Sequence, residues 1–110
     1  MADLGAEVIK IEVPGTGDGS RRAGEIKDGM SSFFETNNRG VKSLTLNLKA
    51  EEGKKILHEL VKRADVFGQN FRPGAAERNG FGYEELRKIN PRLVYASVSA
   101  YGLEGPDANL

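Results

Sequence analysis

At 110 residues the chain has room for one modest hydrophobic core and not for two domains. Its 16 Lys and Arg balance 16 Asp and Glu, so no overall field draws it to nucleic acid or to an anionic membrane, and any anion site must be local. The absence of cysteine removes disulfides, thiolate nucleophiles and Cys-ligated metals together, and makes the reducing cytosol the expected compartment.

The N-terminal "ADLGAEVIKIE" reads as the tail of a helix entering a strand over Glu7 to Glu12, and no window approaches the roughly 20 apolar residues of a membrane span. Val13 to Gly29 lacks either structural period and is expected to be a loop. Helical turns from Ser31 should point Phe33 and Phe34 inward. A second strand follows over Ser43 to Leu48, with Leu44, Leu46 and Leu48 on one face. Ala50 to Ala64 carries Ile56, Leu57, Leu60, Val61 and Ala64 at helical spacing, with acids in its first turn and bases in its last. Asp65 to Gln69 is a third strand. Tyr83 to Ile89 is a short helix that Asn90-Pro91 ends, because a residue before proline avoids the helical region. "RLVYASVS" is a fourth strand. Strands alternating with helices predict the α/β class with a mainly parallel sheet. The C-terminal "GLEGPDANL" stops in mid-loop, so the chain is expected to be a fragment.

Three features that could carry chemistry fail on spacing. "PGTGDGSRR" follows a strand as a nucleotide-binding turn would, but it lacks both the dinucleotide fingerprint and Gly-Lys-Ser/Thr, and reads as a flexible loop. His58, the only histidine, has no partner at triad or metal spacing. Glu51, Glu52, Glu84 and Glu85 fall in helix first turns, where the dipole explains them. No metal site and no catalytic acid, base or nucleophile stands out.

"DVFGQNFRPGAAERNGFG" is different. Ligands of open α/β sheets lie beyond the carboxyl ends of the strands, where Asn70 and Phe71 fall. Pro73-Gly74 then turns the chain into a short helix whose free N–H groups can face a phosphate. Arg78 supplies a charged fork, Phe71 a flat face and Asn70 an amide. The bland reading stays open beside this one: Asn70 caps a turn, Phe71 fills core and the arginines are solvated.

"LGAEVIKIEVPGTGD", "FFETNNRGVKSLTLNLKAEEG", "ADVFGQNFRPGAAERNGFGYEEL" and "INPRLVYASVSAYGLEGP", in this order, resemble the N-terminal part of family III CoA-transferases, whose relatives include α-methylacyl-CoA racemases. The resemblance covers essentially the whole chain. It implies that residues 1–110 are part of a Rossmann-like large domain that binds coenzyme A, with flanking helices, in an interlocked homodimer. It also implies that Leu46, Lys49, Asn70, Phe71 and Arg78 approach the CoA moiety, with Arg78 on phosphate. The substrates implied are an acyl-CoA and a carboxylic acid acceptor, without metal, nucleic acid or membrane. The family's catalytic aspartate, which forms an acyl anhydride and then a CoA thioester, would belong to a segment beyond Leu110, and a first strand would precede Met1. Asp107 is not that aspartate.

Two departures stand out. Val13 occupies a position where some transferases have a basic residue, leaving Arg21, Arg22 or Arg39 as candidate replacements. Gln69 occupies a position where the resemblance implies an acidic residue in an "ENF" motif. The leading expectation is an acyl-CoA transferase. The alternatives are a 2-methylacyl-CoA racemase, which would share this half of the sheet, and a CoA- or nucleotide-binding module without chemistry.

Overall fold

A computed structural model describes residues 1–108. The chain divides into two compact units, Met1–Asn47 and the residues from Leu48 onward. Each holds one parallel strand pair, and the class is α/β as expected.

In the first unit, a 3₁₀ turn over Ala2–Leu4 closes on Gly5 in the left-handed region and leads to strand β1, Ile9–Glu12. The stretch expected to be a plain loop is built instead. A 3₁₀ turn at Gly19–Arg22 begins with Asp18 accepting the Ser20 N–H, and β2 (Ile26–Lys27) pairs antiparallel with β3 (Met30–Ser31). Asp28 (φ 51) and Gly29 (φ 78) form the connection, and two successive left-handed residues match the twist of a hairpin. Helix α1, Ser32–Asn37, starts where Ser31 Oγ accepts the Phe34 N–H. Consecutive residues on a helix point about 100° apart, so Phe34 is buried while Phe33 stays half exposed, against the expectation that both turn inward.

Strand β4, Lys42–Thr45, pairs parallel with β1 from Ile9↔Lys42 to Glu12↔Thr45. It ends before Leu46, so the expected stripe of Leu44, Leu46 and Leu48 does not share one strand. Leu46 is buried and Leu44 partly so, whereas Leu48 belongs to the other unit.

In the second unit, helix α2 runs Glu51–Val61, shorter at its C-terminal end than the expected Ala50 to Ala64. Gly53, Leu57 and Val61, four residues apart, form its buried stripe, while Ile56 is exposed. Asn90 Nδ2 donates to the Val61 carbonyl (3.0 Å) and the Ala64 carbonyl (2.8 Å), satisfying the open end of the helix. Strands β5 (Val66–Gln69) and β6 (Val94–Ser97) pair parallel, with Gln69 opposite Ser97. Between them lie α3 (Ala75–Arg78) and α4 (Tyr83–Ile89), the latter anchored by fully buried Leu86.

The strands show two faces. Phe67 stacks on Tyr95 (5.3 Å between ring centroids) and reaches Phe81, which is 2% exposed. Residues on the opposite face, Val66, Val94 and Val98, are 48%, 60% and 66% exposed.

Candidate functional site

The carboxyl end of β5 runs directly into Asn70 and Phe71. Phe71 is half exposed and packs at 5.3 Å on Phe81, so one side of its ring rests on the core while the rest faces outward. It is both a core-filling residue and an available flat surface. Asn70 is exposed.

Gly74 then takes φ 76, and a Cβ placed there would lie 2.6 Å from Arg78 Nη1. The left-handed backbone angle is what favours glycine here, and a side chain would also displace the end of Arg78. The guanidinium of Arg78, the last residue of α3, therefore folds back over the turn that begins the helix. The expected helix-end contribution is weaker than the sequence implies. The helix has four residues, and its first N–H, that of Ala75, already donates to the Arg72 carbonyl (3.0 Å). The positive charge at this turn comes from side chains.

Gln69 joins the two strand ends. Its Oε1 accepts the Phe71 N–H and its Nε2 donates to Ser97 Oγ, each at 2.7 Å. Tyr95 donates its hydroxyl to the Phe81 carbonyl (3.2 Å). Burial pushes the Tyr95 phenol above its ordinary pKa, with Glu77 adding to the rise and a hydrogen bond from Gln69 opposing it, so it remains a donor. Ser97 lines an open cleft of about 630 Å³ with Val98, Ser99, Gly102, Leu103 and Glu104.

Of the other two residues expected to approach coenzyme A, Leu46 lies in the first unit with a buried side chain and donates its N–H to the Glu12 carbonyl (3.0 Å). Lys49 lies in the second unit, exposed, just before α2. Asn70, Phe71 and Arg78 are thus gathered on one turn, and Leu46 and Lys49 belong to other parts of the chain.

The first unit contains a polar cluster that sequence reasoning did not single out. Glu12, 4% exposed at the end of β1, accepts from Asp18 N–H (2.7 Å), Ser43 Oγ (2.7 Å), and Arg21 Nε and Nη2 (both 2.8 Å). The Arg21 fork holds the Glu12 carboxyl down at about 2 against the opposing effect of burial, with Ser43 and the Asp18 amide assisting. Asp18 is likewise held well below the usual carboxylate range, first by Lys10 and then by Ser20. The Arg21 guanidinium also lies 3.9 Å over the Phe34 ring. A strand-end Glu followed by Gly-Asp and an Arg was the available signal, but nothing in its spacing distinguishes it from a solvated charge.

Arg21, Arg22 and Arg39 are the residues expected to stand in for a basic residue at Val13. Arg21 is engaged by Glu12 and Arg39 pairs with Asp3 (2.8 Å), while Arg22 is exposed and ion-pairs with no described residue. His58 Nε2 meets the Gly80 carbonyl at 2.9 Å, a structural tie between α2 and the loop before α4. Among the described residues no group of three His, Asp or Glu is placed to hold a metal ion, and no helix is long and apolar enough to cross a membrane.

The model of the family described as CoA-transferase family III matches residues 1–110. An acetyl-CoA:oxalate CoA-transferase from Acetobacter aceti is 52% identical over 99% of this chain and 28% of its own length. A formyl-CoA:oxalate CoA-transferase from Streptomyces avermitilis is 48% identical over 96% of this chain and 26% of its own length. Among solved structures, a CaiB/BaiF family protein from Brucella suis superposes with a TM-score of 0.89 at 40% identity, covering 97% of this chain and 29% of the other. The chain therefore spans between a quarter and a third of the length of these proteins.

Proposed function

Because this chain belongs to CoA-transferase family III, we propose that it supplies part of the coenzyme A site of an acyl-CoA transferase. The reaction converts one acyl-CoA and a free carboxylate into the other acyl-CoA and the other carboxylate. In this reading Arg78 pairs with a phosphate of the coenzyme, Phe71 offers a flat apolar wall, Asn70 hydrogen-bonds a polar edge, and Leu46 and Lys49 contribute where the chain passes between strand and helix. No catalytic residue is assigned within residues 1–110. The proposed compartment is the cytosol and the proposed assembly an interlocked homodimer, both following from the family resemblance and the cysteine-free composition.

The observation that carries the reading is the Arg78 guanidinium folded over Gly74, on the turn that follows the half-exposed Phe71 at the strand end where α/β folds bind ligands. Calorimetric titration of the protein at full native length with CoA tests it. Arg78→Ala should weaken CoA binding about tenfold, the magnitude of one charge-assisted hydrogen bond. Addition of CoA should shift the amide resonances of residues 70–78. Unmoved resonances in this segment at saturating CoA would refute the site.

A further inference from the structure

Gln69 joins the ends of β5 and β6, and its hydrogen bonds show what the amide does that a carboxylate would not. A backbone N–H can only donate, so the Phe71 N–H contact at 2.7 Å identifies Oε1 and leaves Nε2 facing Ser97 Oγ at 2.7 Å. Ser97 Oγ is the acceptor of that bond. Its own hydrogen stays unused there, and Ser97 donates to no other described residue. With glutamate at position 69 the polarity would reverse. Two oxygens at that distance must share a hydrogen, and the only one present would be that of Ser97.

Ser97 is opposite Gln69 in the parallel register, and the Val98 N–H donates to the Gln69 carbonyl (2.9 Å), so the ends of β5 and β6 are adjacent. Ser97 lines the open cleft of about 630 Å³ together with Ser99 and Glu104. A carboxylate at Glu104 disfavours a second anion in that cleft. The complementary ligand group is a neutral hydrogen-bond acceptor.

We propose that the Ser97 hydroxyl donates a hydrogen bond to a neutral carbonyl oxygen of a CoA thioester, either an amide of the pantetheine arm or the thioester itself, and that Gln69 is the positioning residue that keeps Ser97 a donor. The inference rests on the proposed coenzyme A site and extends it from the end of β5 to the end of β6.

Calorimetric titration of the protein at full native length with CoA and with acetyl-CoA is the test. Ser97→Ala and Gln69→Glu should each raise Kd about 5- to 10-fold, the loss expected for one hydrogen bond. Ser97→Thr keeps the hydroxyl in a residue suited to strands and should stay within about twofold of the parent. The Gln69→Glu/Ser97→Ala double variant should bind no more weakly than either single one, because both remove the same donor. Losses with both ligands assign the acceptor to the pantetheine amide, and losses with acetyl-CoA alone assign it to the thioester; either supports the proposal. Unchanged affinity in both single variants, or losses that multiply in the double variant, would overturn it while leaving the coenzyme A site intact. A parent protein that binds neither ligand would overturn both.

Discussion

Glu12 couples its protonation to folding because the native cluster surrounds its carboxylate with four hydrogen bonds. Its folded pKa of about 2 lies below the ordinary 4.5, so the folded state favours the ionised form. The stabilisation is fully present above about pH 4.5 and disappears as pH falls through the folded pKa of about 2. Asp18 adds in the same direction. Thermal melts should therefore show the parent chain losing stability steeply below about pH 4.5, while Glu12→Gln is less stable at neutral pH and shows a shallower acid slope. Equal slopes would mean that the carboxylate is not ionically coupled to folding. At this scale the sequence placed Asn70 and Phe71 directly after a strand and Arg78 in the short helix beyond it, where the structure has them. It could not reveal that Arg21 is held by Glu12, because a bidentate contact across nine residues of irregular chain leaves no periodic trace.

Helices and strands depend on their ends as much as on their faces, and α2 shows this through Asn90. One side-chain amide serves the carbonyl of the last helical residue, Val61, and that of Ala64 just beyond it. Asn90→Ala would leave both acceptors without that donor, and urea unfolding should register a loss of about 1–3 kcal/mol. A change below about 0.3 kcal/mol would indicate that water replaces the amide without penalty. The periodic elements were legible: α4 matches its expected span, and α2, β5 and β6 fall inside theirs. The β2–β3 hairpin was not, because strands of two residues have no period to read. Its Asp28-Gly29 turn was the usable signal. The end of β4 was misplaced because the Leu44, Leu46, Leu48 alternation continues after the strand pairing stops.

Across the whole molecule, each parallel ladder is formed by strands of a single unit, β1 with β4 and β5 with β6. Parallel strands are ordinarily covered on both faces, yet Val66, Val94 and Val98 present an exposed apolar face. The chain of residues 1–110 should accordingly bind a fluorescent hydrophobic dye in its folded state, and Val66→Thr with Val94→Thr should cut that signal by about half or more while preserving strand propensity. An unchanged signal would place the dye elsewhere. The α/β class was readable from the alternation of elements, but the division into two units was not, since the register of distant strands is a property of the folded chain.

The junction at Asn47 and Leu48 falls between these ladders rather than within one. A chimera that exchanges the first 47 residues for those of another member of the family would keep every native strand partner on its own side of the splice. Recombination at that point could therefore reassort the Glu12 scaffold and the Gln69–Ser97 pair as separate inheritable modules.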